Sequence, residues 1–305
     1  MNEEYLWDRS GEPDPETVRL EQLLGQMKYQ GAKKRRRKSV SVWWIAAAAA
    51  LVAGLFSVPL WRGQLTSWQS QDGARLRTGQ TIETRAGNKV KIQSSETGEV
   101  TIDPGSRLRL VAASGNEQRF DLQQGTIHAF IWAPPGRFVV DTPSSKTVDL
   151  GCRYTLQVSR DGNGMLTVEV GWVAFERNNI ESFIPAGAAC VTRPGKGPGT
   201  PYFSDAPDVL RNALARFDSS ADPAALDTVI AAARNRDALS LWHLMVRTQG
   251  DERARVFDRF ASLVSLPSEV TREAVQQGDG KAIDAAWDAL ALGNTDWWRE
   301  WKKPW

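Results

Sequence analysis

Two histidines, His128 and His243, and two cysteines, Cys152 and Cys190, are the residues of this 305-residue chain best suited to nucleophilic, acid–base or metal chemistry. A structural zinc needs four such ligands at short, paired spacings. These four stand on separate segments, so no metal is expected. His128 sits between Ile127 and Ala129 on an apolar strand, where a satisfied structural histidine is the expectation, and His243 lies in the run Asp237–Leu244, which is expected to be core. No serine–histidine–aspartate pattern and no glycine-rich phosphate loop is legible. The chain therefore reads as a non-enzyme without a cofactor. The cysteines are an even pair, and in an oxidising compartment such a pair is read first as a disulfide. A Cys152–Cys190 bridge would close a loop of about 39 residues, contributing roughly 4 kcal/mol on a chain-entropy argument. Two free buried thiols are the alternative.

The compartment depends on the stretch Val40–Trp61, which carries no charge between Lys38 and Arg62. As a helix it covers about 30 Å, the thickness of a bilayer's hydrocarbon. Trp43, Trp44 and Trp61 stand near its ends, as indoles do at membrane interfaces. The cationic run Lys33, Lys34, Arg35, Arg36, Arg37 and Lys38 precedes it, and only Arg62 follows closely. That asymmetry predicts a single span over 39–62 with the N-terminus in the cytoplasm and the C-terminus outside. A cleaved signal peptide would need an unusually long charged region, and a buried alanine-rich core helix would leave the basic run unexplained. The net charge is +2, of which the run supplies six positive charges. The remainder is near neutral, so nucleic acid is not an expected partner.

Four regions follow in an α+β arrangement. Residues 1–38 hold a short amphipathic helix, with Tyr5, Leu6, Trp7, Leu20, Leu23 and Leu24 as candidate partner-binding residues. So short a helix cannot bury its apolar stripe alone. From 73 to 205 the pattern has period two: Val90 and Ile92, Val100 and Ile102, Leu108 and Leu110, Phe120 and Leu122. Further runs cover Thr126–Ala133, Arg137–Thr142, Thr147–Leu150, Tyr154–Val158, Met165–Val170 and Trp172–Glu176. Glycine-rich turns separate them, including the hairpin turn Asp161-Gly-Asn-Gly164. This predicts an all-β sandwich, barrel or solenoid. Residues 206–305 lose the strand pattern and predict five helices, opening at Pro207-Asp208 and Asp222-Pro223 and closing at Pro267 and Gly293. The tail places Trp297, Trp298, Trp301 and Trp305 within nine residues, a candidate foot for a membrane surface or a partner.

The segments Thr101–Leu110, Phe120–Ile127, Gly136–Pro143 and Val148–Leu156, followed by Val170-Gly-Trp-Val-Ala174 and Pro185–Ala188, resemble the FecR domain. The opening Tyr5-Leu-Trp-Asp-Arg-Ser-Gly-Glu-Pro-Asp-Pro-Glu16 is similar to the cytoplasmic start of envelope regulators carrying that domain. The resemblance implies a periplasmic β domain on a single-pass protein of the bacterial inner membrane. Such a protein relays an envelope signal inward, often by controlling an extracytoplasmic-function sigma factor. Its partners would be that sigma factor and an envelope protein or ligand in the periplasm. The alternative is a tethered envelope binding or scaffold module with no sigma partner. Cys152 stands where the family usually has threonine. Some FecR-like regulators cleave themselves at the corresponding Gly–Thr bond, so Gly151–Cys152 is the place to look. A bridged sulfur could not attack, and no self-cleavage is expected.

Overall fold

The computed structural model describes residues 18–19, 67–178 and 180–293. The amphipathic stub residues, the basic run, the Val40–Trp61 span and the four tail tryptophans lie outside the described residues. Among the described residues no helix is long and apolar enough to cross a membrane.

The strands are β1 (Gln69–Ser70), β2 (Thr81–Glu83), β3 (Val90–Ser94), β4 (Gly98–Ile102), β5 (Arg107–Ala113), β6 (Gln118–Ile131), β7 (Phe138–Asp141), β8 (Lys146–Asp149), β9 (Arg153–Val158), β10 (Gly164–Val170), β11 (Trp172–Arg177), β12 (Ile180–Pro185), β13 (Ala188–Arg193), β14 (Gly197–Pro198) and β15 (Tyr202–Phe203). They form one continuous sheet in two halves. Sheet I holds β1, β3, β4, the end of β6, β9, β10 and β13–β15. Sheet II holds β2, β5, the start of β6, β7, β8, β11 and β12. The inward rows Val100 and Ile102, Leu108 and Leu110, Phe120 and Leu122, and Tyr154 and Leu156 are buried in one core, as their alternation predicts.

The sequence reads Phe120–Leu122 and Thr126–Ala133 as separate runs with Gly125 at a strand end or a bend, and it is a bend: one strand passes from sheet II to sheet I there. Gly125 has φ +99°, and a Cβ on it would lie 2.2 Å from Ser106 Oγ. Only glycine lets β6 bend while pressed on Ser106. Two further crossings lie side by side. Leu150-Gly151-Cys152 joins β8 to β9, and Gly171 joins β10 back to β11. The expected hairpin at Asp161–Gly164 joins β9 to β10.

The helices are α1 (Asp208–Ser220), α2 (Pro223–Ala232), α3 (Ala238–Arg247), α4 (Gly250–Leu263), α5 (Arg272–Gln277) and α6 (Gly280–Asp288). Asp222 caps α2 by accepting from Ala224 N–H at 3.0 Å, with Pro223 at the first helical position, as its sequence predicts. The short α5, capped by Thr271, was not legible because six residues carry too little periodicity.

The helices share the core of the strands. Trp287 of α6 packs against Trp172, Phe183 and Trp242 at ring-centre distances of 5.8, 5.9 and 4.6 Å. Strand β12 is an edge of sheet II, and α3 covers it. Phe183 donates its backbone N–H to His243 Nε2 at 3.0 Å, and Arg247, one turn later, donates to Glu181 O at 3.2 Å. The four-residue step of a helix face thus meets successive outward backbone groups of a strand.

Candidate functional site at the paired sheet crossings

Asp149 ends β8, and its carboxylate organises the first crossing. Oδ1 accepts from Gly151 N–H at 2.7 Å, and Oδ2 accepts from the Cys152 thiol. Gly151 takes φ +88° to make this turn. The second crossing lies against it: a Cβ on Gly171, itself at φ +77°, would stand 2.2 Å from Gly151 O. Ile131 N–H donates to Cys152 O at 2.9 Å, and Leu150 N–H donates to Trp172 O at 3.2 Å, so both sheets grip the crossing.

The site is dry. Burial pushes the Asp149 carboxyl up to about 7, against the opposing pull of its bonds to Cys152 and Gly151. Burial, followed by the charge and hydrogen bond of Asp149, pushes the Cys152 thiol well above its ordinary value. A proton therefore stays on sulfur in preference to the carboxylate. The thiolate is the nucleophile in cysteine chemistry, so the arrangement keeps Cys152 inert and makes Asp149 the group that titrates near neutral pH.

The expected Cys152–Cys190 disulfide is corrected: both cysteines are free and buried. Cys190 on β13 lies opposite Leu166, which lies opposite Leu156 on β9. Cys152 is four residues before Leu156. Two strand spacings of about 4.8 Å and four residues at about 3.3 Å put the two Cα atoms roughly 16 Å apart. A disulfide needs about 4.4–6.8 Å. Cys190 instead directs its thiol to Gly199 O at 3.2 Å, and burial pushes it up to about 12.

The histidines divide. His243 is buried in the helix–sheet joint, and burial, aided by the Arg247 charge, takes it down to about 3. It is a neutral ring that donates Nδ1–H to Leu239 O at 2.9 Å and accepts at Nε2. His128 belongs to an arrangement not legible in the sequence. Its Nε2 meets Asp103 Oδ2 at 3.0 Å and its Nδ1 meets Thr155 Oγ1 at 2.9 Å. His128 and Thr155 are register partners on sheet I, and Asp103 follows β4 two residues beyond Thr101, the partner of His128 on its other side. Lys89 neutralises Asp103 at 3.1 Å, and the hydroxyl stands on an open sheet face. This line ties three strands together.

Residues 80–174 match the family model described as FecR protein, which runs from β2 into β11 and contains both crossings. This stretch is a FecR domain. Strands β12–β15 and helices α1–α6 lie beyond the match, as do Pro185–Ala188, which resembled the family in sequence. No curated protein matches the chain. Two crystal structures of a candidate anti-sigma factor from Parabacteroides distasonis ATCC 8503 are similar at 14% identity and TM-score 0.36. The match covers 44% of this chain and 63% of that one, less than two thirds of its length. A likeness of that size says nothing about what this chain does. The role of Asp149 is weakly signalled in the sequence. The signal was its position two residues before a glycine, where aspartate closes local turns onto the following backbone N–H groups.

Proposed function

We propose that this chain is a single-pass regulator of envelope signalling. Its N-terminal 38 residues stay in the cytoplasm, Val40–Trp61 spans the inner membrane, and the FecR domain with its helices faces the periplasm. The observation that carries this reading is the FecR match at 80–174 downstream of a six-residue basic run and an uncharged 22-residue stretch. The partner proposed for the cytoplasmic stub is an extracytoplasmic-function sigma factor, held through Tyr5, Leu6, Trp7, Leu20, Leu23 and Leu24. The signal travels through an intact chain, because the Cys152 proton is held and Gly171 crowds the Gly151 carbonyl.

Two measurements test this. A reporter active only in the periplasm, fused after Trp305, should be active, and activity of a cytoplasm-only reporter there would overturn the topology. Capture with residues 1–38 as bait should recover a sigma factor. Recovery of none favours a tethered scaffold.

A further inference from the structure

The outward face of sheet I carries a row of side chains fixed by register. Gln69 stands opposite Gln93, Gln93 opposite Glu99, and Glu99 opposite Phe130, while Arg75 bridges to Gln69. Trp132 stands just beyond the end of β6. Between these groups lies an open cavity of about 460 Å³ lined by Gln69, Arg75, Gln93, Ser95, Glu99 and Trp132, among others. Its size is that of a small-molecule site.

Trp132 is 46% exposed, yet it is held in place. Its Nε1–H donates to Ser95 O at 3.0 Å, so the one polar atom of the indole is already satisfied. Phe130 braces it at 5.6 Å in an edge-on contact, and the Arg153 guanidinium lies 4.5 Å above the Phe130 ring. The result is a rigid apolar platform presented to water. The cavity's formal charges oppose one another, Arg75 against Glu99, and Lys91 pairs with Glu99 at 2.7 Å. With Glu99 paired to Lys91, Arg75 leaves one net positive charge, too little to hold a polyanion. What the lining offers is planar donor–acceptor groups, two amides, a guanidinium and a carboxylate, beside one flat aromatic face. That combination complements a molecule with an apolar C–H face ringed by hydroxyls.

We propose that this cavity binds a saccharide, with the C–H face of a β-linked pyranose on Trp132 and its hydroxyls on Gln69, Gln93, Arg75 and Glu99. The inference is independent of the membrane topology. The test is calorimetric titration of the full-length protein, kept in a detergent without a sugar headgroup, with cellotetraose and with chitotetraose. At least one should bind saturably. Trp132→Ala should weaken binding at least tenfold and Gln93→Ala several-fold, with unchanged thermal unfolding. Gln93→Ala, on the exposed face, carries the test if Trp132→Ala fails to fold. Absence of binding by both sugars, or Gln93→Ala and Trp132→Ala proteins that bind like the parent, would overturn the proposal.

Discussion

His243 accepts the backbone N–H of Phe183 at 3.0 Å, so a helix beyond the FecR domain match completes the hydrogen bonding of a strand in its sheet. The ring is buried, away from solvent. His243→Leu should leave the Phe183 N–H unsatisfied and cost about 2–4 kcal/mol. His243→Gln, which restores an acceptor, should cost less. Urea unfolding of the two variants measures the difference. Equal losses would mean that volume, not the hydrogen bond, sets the cost.

Asp149 gives stability an unusual pH dependence. The folded carboxyl titrates near 7 against 3.8 unfolded. Between these values the folded chain holds a proton that the unfolded chain has lost, so Asp149 makes stability fall as pH rises from about 4 to about 7, then levels off. His243 acts oppositely. Its folded value near 3 against 6.5 gives stability that is complete above about 6.5 and lost as pH falls. The two slopes oppose each other in the parent protein. Asp149→Asn should expose the histidine slope, with the melting temperature rising from pH 4 to 6.5. A variant whose profile parallels the parent would show that Asp149 titrates normally.

The thiols should be present but silent. Without reductant, the native protein should react slowly with a thiol reagent, and the denatured protein should yield two equivalents. Fewer than two after denaturation would restore the disulfide that the strand register excludes.

The glycines of the two crossings should differ in their tolerance. A Cβ at Gly151 meets nothing within 4 Å, so Gly151→Ala should cost only the left-handed conformation, about 1–2 kcal/mol. Gly171→Ala adds a 2.2 Å clash with Gly151 O and should cost several kcal/mol more or prevent folding. Thermal unfolding of both ranks them. Equal effects would mean the crossings can separate.

A denaturing gel of the purified chain should show one band. Fragments meeting between Gly151 and Cys152, abolished by Cys152→Ala, would show that the thiol does attack despite the proton held on it.

Much of the fold was legible because its signals are local. Val100 and Ile102 alternate with polar neighbours, Asp222-Pro223 announces a helix start, and Asp161–Gly164 announces a hairpin. What escaped was set by pairing between distant strands. Nothing near Cys152 tells that Cys190 sits two strands away and four residues out of line. Nothing near His128 reveals Asp103 and Thr155 as neighbours, and nothing near Trp132 reveals Gln69 and Arg75. A glycine such as Gly125 marks either a strand end or a bend in sequence, and only the pairing of β6 with both sheets tells that it is a bend within one continuous strand.

That continuity has a mechanical consequence. Strand β6 is 14 residues long, roughly 46 Å at strand rise, and belongs to both sheets. The two halves of the FecR domain are thus joined by covalent backbone through their centre as well as by apolar contact. A pull applied to one sheet is borne along that spine into the other, so the halves cannot slide past each other without tearing out the strand they share.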